Sequence, residues 1–381
     1  MKKNRLTTKR FWRDALLATV AVVGLAALQP AANVIFAMPR GRFPARLIRI
    51  MGSRTITVNA GLQGYYEQLL SPAGGPHKRQ LTTEEYFRWA NGSHDRIYTP
   101  DFRIARLRPN LERQLEGAKT EQPTNSFGFS GGEWSLQKAP TTRRVALLGD
   151  SMAQGMGVDL NHTFGALLEH RLNSNHPGGT SQRFEVLNFA VTGYPLTQVF
   201  DVAMEDVSRF EPDLYMLVLT DLFVAGDWDR HLVQVIQFGI DPKYDFLRET
   251  LRKAKVSRED DRATLSAKLE PFRIPLLQEM LLEIKSRATR DHASFIVVLL
   301  PALEDGDLSR KRLSEIPGLL ESLHITFVDL LDTFDEISDL DPLRLDPDNV
   351  HPNPRGHAMI AENLYTKLQA QPEAWSALVG N

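Results

Sequence analysis

The stretch "RRVALLGDSMAQG", residues 143–155, decides the fold class of this chain. Its apolar part, "VALL" at residues 145–148, is continuous, which is typical of a parallel strand covered on both faces. Gly149, Asp150 and Ser151 follow directly, where the chain leaves that strand. Open α/β sheets bind their ligands outside the carboxyl ends of their strands. The sequence therefore predicts that the Ser151 hydroxyl lies at the functional edge of a parallel sheet.

The segments after residue 155 alternate between strand and helix patterns. Such alternation is typical of βαβ units, so it predicts an α/β fold with a parallel sheet. The strand patterns are "FEVLNFAV" (184–191), "DLYMLVLT" (213–220), "SFIVVLL" (294–300) and "ITFVDLL" (325–331). The helix patterns are "TFGALLEHRLNS" (163–174), which we expect to begin near Asn161, "LTQVFDVAMEDVSRF" (196–210), "LLQEMLLEIKSRA" (276–288) and "GHAMIAENLYTKLQ" (356–369).

The overall composition is that of a folded protein without a strong charge bias. The chain has 381 residues, of which 42% are hydrophobic and 24% are charged, and its formal net charge is −2. Nothing in this balance indicates a nucleic-acid partner. Cysteine is absent, which excludes disulfides, a thiol nucleophile and a cysteine-based zinc site.

The N-terminus carries a pattern typical of export. Six Lys or Arg residues lie within residues 1–14, and no charged residue occurs from Ala15 to Met38. A helix of that length spans roughly 36 Å, enough to cross a bilayer. An uncleaved signal anchor, a cleaved signal peptide and a buried soluble helix all fit the pattern, and we favour the anchor. The rest of the chain is then expected outside the cytoplasm, either membrane-anchored or secreted.

Three regions are predicted along the chain. Residues 1–38 form a cytoplasmic tail and the span, 39–140 form an accessory region of no assignable fold, and 141–381 form the α/β domain. In the accessory region, "LTTEEYFRWA" predicts a short helix capped by Thr82 or Thr83. Residues 222–270 interrupt the α/β rhythm as an insert. Trp228 and Phe238 belong to its first half, which is expected to cover a site, and the second half predicts a solvated helix.

A base for Ser151 is present in "DPDNVHPNPRGH", residues 346–357. Asp348 and His351 are three positions apart, so on a turn the carboxylate can hold one imidazole nitrogen while the other faces outward. Serine is a poor nucleophile unless a base removes its proton during attack. The residue types fit a Ser151, His351 and Asp348 triad. His357, in the last helix pattern, is expected to be structural.

The motifs "GDSMAQG" and "DNVHPNPRGH" resemble the first and last blocks of the SGNH/GDSL hydrolases, and the resemblance covers residues 143 to about 370. It implies a three-layer α/β/α sandwich with a parallel five-stranded, flavodoxin-like sheet. It also implies a serine nucleophile in Gly-Asp-Ser and a late Asp-x-x-His pair, which correspond here to Ser151, Asp348 and His351.

The resemblance further implies an oxyanion site with three donors. Two of them are the backbone N–H groups of Ser151 and of Gly193, the latter in "LNFAVTGYP" (187–195). The third is an asparagine side chain, usually followed by Asp, but here Thr220 and Asp221 stand at that position. No asparagine occurs from residue 189 to residue 348, so no shift of alignment restores one. We include Asp150, Thr220 and Asp221 among the predicted oxyanion or substrate-binding residues.

Simpler interpretations stay open for each residue. They are a helix cap for Ser151, a turn former for Asp348, a surface histidine for His351, backbone geometry alone for Gly193, and a strand residue for Thr220. A metal is not expected, because the acidic run at residues 339–348 lacks the spacing of a calcium loop and no His-x-x-x-His occurs. No nucleotide-binding glycine pattern follows a strand, so we expect no cofactor.

The sequence is compatible with three functions. The first is a serine esterase that removes acyl groups, such as O-acetyl groups, from an exported polysaccharide. The second is an O-acyltransferase that uses the same triad, and the third is a non-catalytic glycan-binding or scaffold protein that keeps the fold. The expected partners are an ester or acylated glycan and the membrane, with no nucleic acid; the sequence does not indicate an oligomeric state.

Overall fold

The computed structural model describes residues 83–112, 122–179, 181–225, 227–304, 308–347 and 349–380. The strands are β1 (Arg96–Tyr98), β2 (Ala105–Leu107), β3 (Thr142–Leu148), β4 (Arg183–Asn188), β5 (Leu214–Thr220), β6 (Ser294–Leu300) and β7 (Thr326–Asp329). The α-helices are α1 (Thr83–Ala90), α2 (Ser151–Gln154), α3 (Phe164–Asn175), α4 (Leu196–Glu205), α5 (Arg230–Phe238), α6 (Asp245–Ala254), α7 (Arg262–Leu269), α8 (Arg273–Arg290), α9 (Leu308–Arg312), α10 (Ile316–Ser322), α11 (Pro354–Ala370) and α12 (Pro372–Val379).

Strands β3 to β7 form one sheet in the order β4-β3-β5-β6-β7, and every neighbouring pair in it is parallel. The chain runs from β3 outward to β4 and then crosses back to β5 on the other side. In this flavodoxin-like order, the crevice for a ligand opens between the carboxyl ends of β3 and β5. Ser151 follows β3, so the topology brings it to that crevice.

Helices cover both faces of the sheet. On one face Val145 and Leu147 of β3 pack with α3, α11 and α12, and on the other Ala146 and Leu148 pack with α4, α8 and α10. The near-continuous burial of β3 and β5 follows from this coverage, because alternate residues face opposite layers. The predicted α/β fold with a parallel five-stranded sheet flanked by helices is confirmed.

The described part of the accessory region packs on one of these faces. Strands β1 and β2 form an antiparallel pair, and Tyr98 and Phe102 join the same apolar cluster as α4 and α8. The helix predicted in "LTTEEYFRWA" is present as α1, which begins at Thr83; Thr82 lies outside the described residues. The predicted boundary at residue 140 stays a prediction.

The insert at residues 222–270 contains three helices, α5 to α7. The single solvated helix predicted for its second half is wrong, because α6 ends at Ala254, the C-cap Lys255 has a left-handed φ of 53°, and a new helix starts after Asp261. The Asp261 carboxylate caps α7 by accepting from Thr264 N–H. The apolar edges of α6 and α7, at Leu247 and Leu265, are buried in the core, which explains why neither helix is fully solvated.

Helix α3 begins two residues later than expected. The N-cap is Thr163, whose hydroxyl accepts from Ala166 N–H, while Asn161 lies in a preceding 3₁₀ turn. Within the described segments no helix combines the length and the apolar character that crossing a bilayer requires. Residues 1–38, where the span is predicted, lie outside those segments.

Candidate active site

The Gly-Asp-Ser turn places Ser151 at the start of helix α2. Asp150 is the N-cap of this helix, and its Oδ1 accepts a hydrogen bond from Met152 N–H at 2.9 Å. Gly149 has no room for a side chain, because a Cβ there would lie 2.5 Å from the Cβ of Ala153. The glycine thus lets α2 turn tightly off β3, and the serine becomes the first residue of the helix.

His351 reaches Ser151 from the loop before α11. Its Nε2 lies 2.7 Å from Ser151 Oγ, and its Nδ1 lies 2.6 Å from the side-chain oxygen of Asn349. An amide oxygen only accepts, so Nδ1 carries the hydrogen and Nε2 accepts from the serine hydroxyl. Asn349 Oδ1 also accepts from the His351 backbone N–H, which fixes the loop around the ring. In this arrangement His351 has the tautomer that a general base needs.

Burial sets the charge of His351. Its exposed fraction is 1%, and that of Ser151 is 0%. Loss of solvent lowers the pKa of His351 to about 4, so the imidazole is neutral at neutral pH. A neutral imidazole can accept the serine proton, whereas an imidazolium cannot.

Asp348, the predicted orienting carboxylate, lies outside the described residues. Its role therefore stays a prediction. Asn349 is a contact that the sequence analysis missed, although it stands inside the quoted motif. The signal was present, because an Asx side chain two residues before a histidine can accept from that residue's own backbone N–H.

Two backbone N–H groups at this edge of the sheet make no hydrogen bond within the described part of the chain. They belong to Ser151 and Gly193. Gly193 is the third residue of a turn closed by a bond from Tyr194 N–H to Val191 O of 3.1 Å, and its φ is 77°. A positive φ at this position favours glycine. Buried amides normally find an acceptor, so amides without one are available to an incoming oxygen atom.

The Thr220 hydroxyl bridges the crevice between β3 and β5. It donates to Asp150 Oδ2 at 2.8 Å. Burial raises the pKa of Asp150 to about 6, against the three hydrogen bonds, from the Thr220 hydroxyl, Met152 N–H and its own backbone N–H, that favour its charged form. A hydroxyl has one hydrogen, so in this structure Thr220 has none left for an oxyanion. Its observed contact is with the serine turn.

Asp221 is fully buried beside a cation that the sequence analysis did not single out. Arg312 donates to Asp221 Oδ2 at 2.6 Å and to Glu304 Oε1 at 3.0 Å. Burial, followed by the neighbouring Asp221 carboxylate, raises the pKa of Glu304. The Asp221 side chain therefore anchors the end of β5 to the segment after β6.

Gln154 links the serine helix to the turn of Gly193. Its side-chain oxygen accepts from Thr192 N–H, and its side-chain nitrogen donates to Ser130 Oγ at 2.8 Å. No local sequence pattern singles out Gln154, because its contacts join segments far apart in the chain. Among the residues that the structure describes, no three His, Asp or Glu side chains converge as metal ligands would.

A family model for the GDSL-like lipase/acylhydrolase family matches residues 147–359, which is more than half of the chain. The chain belongs to this family. The predicted resemblance to SGNH/GDSL hydrolases is confirmed by this match, and the residues of the Gly-Asp-Ser and His351 segments both lie within it. No curated protein sequence matches this GDSL-family chain.

Solved structures that are similar to this GDSL-family protein in fold include the following three. TesA is 15% identical, with 60% of this chain and 99% of that chain covered and a TM-score of 0.40. The psychrotrophic esterase EstA from Pseudoalteromonas sp. is 13% identical, with 60% and 97% covered and a TM-score of 0.39. A catalytic mutant of Axe2, an acetylxylan esterase from Geobacillus stearothermophilus, is 16% identical, with 61% and 96% covered and a TM-score of 0.39.

Proposed function

We propose that this GDSL-family protein is a serine-dependent ester hydrolase. The observation that carries the proposal is the 2.7 Å contact between Ser151 Oγ and His351 Nε2, made by a buried neutral imidazole of the correct tautomer. The two acceptor-free N–H groups of Ser151 and Gly193 support it further. Nucleophile, base and oxyanion donors are the three parts that acyl transfer requires.

In the first half of the reaction, Ser151 Oγ attacks the ester carbonyl carbon while His351 Nε2 takes the hydroxyl proton. The carbonyl oxygen becomes negative and accepts hydrogen bonds from Ser151 N–H and Gly193 N–H. As the tetrahedral centre collapses, the bond to the alcohol oxygen breaks and His351 returns the proton to that oxygen. The products of this half are an acyl-serine and a free alcohol.

In the second half, water replaces the alcohol. His351 takes one proton of the water as its oxygen attacks the acyl carbon, and Ser151 leaves with that proton. The net change is ester plus water to acid plus alcohol. Asp348 is proposed to stabilise the imidazolium in both halves, together with the contact from Asn349 to Nδ1.

The proposed substrate is a short acyl ester, such as an O-acetyl group, on an exported polysaccharide. A nucleophile closed off from solvent favours a small acyl group over a long chain. We propose a polysaccharide as the alcohol part because the predicted export signal at residues 1–38, taken as an uncleaved anchor, would place the hydrolase outside the cytoplasm, where such polymers lie. A fusion of alkaline phosphatase after residue 381 should then be active in intact cells; an inactive fusion that is present at normal levels contradicts this location.

One observation favours acyl transfer to a sugar hydroxyl as a second candidate. Ser151 and His351 have exposed fractions of 0% and 1%, and a site that excludes water protects an acyl-enzyme from hydrolysis. The two activities are separated by measuring free acetate and acetylated glycan in the same reaction. An added glycan acceptor that gains acetyl groups while acetate release falls indicates a transferase.

The experiment for the proposal is an ester assay on the full chain in detergent. We expect wild-type protein to hydrolyse short acyl esters and acetylated oligosaccharides, and Ser151→Ala to do neither. Equal turnover by wild type and Ser151→Ala contradicts the proposal. A folded wild-type protein that hydrolyses nothing and binds glycan supports the scaffold alternative instead.

A further inference from the structure

Hydrogen bonds occupy most of the backbone N–H and C=O groups of the turn Val191–Tyr194. Thr192 N–H donates to Gln154, and Tyr194 N–H donates to Val191 O. The two carbonyl oxygens between them, those of Thr192 and Gly193, each accept from a guanidinium. Of the four backbone N–H groups of this turn, Gly193 N–H alone makes no hydrogen bond within the described part of the chain.

The two guanidiniums come from segments outside the alternating strands and helices that build the five-stranded sheet. Arg96 in β1 belongs to the accessory region, before the family match at residues 147–359, and its Nη2 lies 2.6 Å from Thr192 O. Arg230 is the first residue of α5 in the insert, and its Nη2 lies 2.6 Å from Gly193 O. Their exposed fractions are 1% and 7%.

Both positions are costly for an arginine. Burying a guanidinium carries a large desolvation penalty, and a cation at the first position of a helix opposes the helix dipole. Charge-assisted bonds of 2.6 Å are among the strong hydrogen bonds of proteins and offset part of that cost. Two such bonds converge on consecutive carbonyls of one four-residue turn.

We propose that Arg96 and Arg230 are positioning residues that orient and polarise the Gly193 N–H as an oxyanion donor. The inference rests on the proposed function and assigns a role in it to the accessory region and to the insert. Arg96 binds the oxygen of the same peptide group whose nitrogen carries that N–H. Hydrogen bonds in such a chain polarise one another, so the guanidinium makes the amide hydrogen a better donor.

Arg230 restrains the orientation of the peptide group that follows Gly193. Gly193 has a φ of 77°, in the left-handed region that glycine populates readily because it has no side chain. The backbone itself therefore restrains the two peptide planes on either side of its Cα only weakly. Arg96 fixes the plane before this Cα and Arg230 fixes the plane after it. The donor direction is thus set before substrate arrives, which is the condition under which such donors lower a barrier.

An experiment can distinguish a role of Arg96 in positioning Gly193 N–H from a role in merely attaching the accessory region to the α/β domain. Arg103 is a matched control, because it is also a buried arginine of that region but binds Asp201 and Asp206 at α4 instead of the turn. We compare Arg96→Gln, Arg230→Gln and Arg103→Gln with the conservative variants Arg96→Lys and Arg230→Lys. For each, kcat, KM, the rate of labelling by a fluorophosphonate and the thermal midpoint are measured on the full chain.

We expect Arg96→Gln and Arg230→Gln to lower kcat by about 10- to 100-fold, a part of the 10²–10³ that loss of a whole oxyanion donor costs. KM should change little, the labelling rate should fall in parallel, and Lys at either position should restore part of the loss. Arg103→Gln should lower the thermal midpoint with kcat retained. If Arg96→Gln fails to fold, Arg96→Lys and Arg230→Gln decide the same question.

Folded Arg96 and Arg230 variants with wild-type kcat and labelling rates overturn the inference, while loss of activity in Ser151→Ala keeps the proposed function intact. A kcat loss in Arg103→Gln equal to that in Arg96→Gln also overturns it, because attachment alone then explains the effect. A wild-type protein that neither hydrolyses esters nor reacts with the fluorophosphonate overturns the proposed function, and the inference with it.

Discussion

Ser151 Oγ and His351 Nε2 lie 2.7 Å apart although the two residues are separated by 200 positions in the chain. The serine is held by the turn from β3 into α2, and the histidine by the loop before α11 that Asn349 braces. Two independent elements thus deliver the two groups to one hydrogen bond. Such a bond has a direct chemical consequence, because it prepares the hydroxyl for proton transfer during attack.

Replacing Ser151 by Ala should abolish ester turnover while leaving the fold intact. The substitution removes one hydroxyl from a buried site and keeps the helix position, so we expect a loss of at least about 10³-fold in kcat with a small change in thermal midpoint. Acetate release and the unfolding midpoint measured on the same preparation check this. A variant that retains a tenth or more of wild-type kcat counts against Ser151 as the nucleophile.

The acid limb of the pH profile should lie well below the usual histidine range. Burial lowers the pKa of His351 to about 4, so the neutral base persists as pH falls through 6 and is lost only near 4. We expect kcat/KM for a neutral ester to fall below about half its plateau only near this pH. An acid limb centred at the ordinary imidazole pKa places the working base in a solvated environment and contradicts the buried arrangement.

Asp150 titrates near pH 6 and can add a second inflection to that profile. The variant Asp150→Asn is the control, because asparagine is also a good N-cap and has no proton to lose. We expect any inflection near pH 6 to disappear in Asp150→Asn and the limb near pH 4 to remain. Persistence of the upper inflection in this variant shows that another group causes it.

Thr220→Val should destabilise the serine turn. It removes the hydroxyl that donates to Asp150 Oδ2 and leaves a buried carboxylate with one bond fewer. We expect a loss of about 1–3 kcal/mol in the free energy of unfolding and a further rise in the pKa of Asp150. Thr220→Ser keeps the donor and should stay near wild type, as measured by denaturant unfolding. Equal stability of the valine and serine variants contradicts a role for this hydrogen bond.

Two buried histidines should each contribute a loss of stability as pH falls from about 6.5 toward 4. Burial lowers the pKa of His231 to about 4, and its Nε2 donates to Phe102 O while its Nδ1 accepts from the Thr197 hydroxyl. Burial also lowers the pKa of His357, to about 3, and Phe164 N–H donates to its Nδ1. In this window the unfolded chain protonates these two histidines and the folded chain does not, so their contribution lowers the free energy of unfolding. The raised pKa of Asp150 contributes in the opposite sense.

Denaturant unfolding at a series of pH values, with His231→Gln as the comparison, tests this. Glutamine can still donate to Phe102 O but does not titrate, so the slope of stability against pH should be shallower in the variant. A His231→Gln variant with the same slope as the wild type contradicts a contribution from this histidine.

The parts of the fold that sequence predicted are those decided by local patterns. The apolar run of β3 and the Gly-Asp-Ser turn place Ser151 correctly, because a buried parallel strand needs a continuous apolar segment and a tight exit. The break between α6 and α7 was missed, because Lys255 adopts a left-handed φ that its residue type does not indicate.

The contacts that shape the site are long-range, and no spacing rule contains them. Thr220 meets Asp150 across 70 residues, and Arg96 meets Thr192 across 96. The sequence placed Thr220 as a candidate oxyanion donor from its position after β5, but its single hydrogen goes to Asp150. Residue types at strand ends can be read locally, whereas the partner of each polar group depends on which segments the topology brings together.

The most direct test of the central claim is labelling of the full chain by a fluorophosphonate, with the modified peptide located by mass. The reagent reacts with a serine that a neighbouring base activates, so it reports the Ser151–His351 pair without knowledge of the substrate. We predict one label on Ser151, absent in Ser151→Ala and strongly reduced in His351→Ala. A folded wild-type protein that takes no label, or a label on Ser151 that is unchanged in His351→Ala, contradicts the claim that these two residues form a working nucleophile and base.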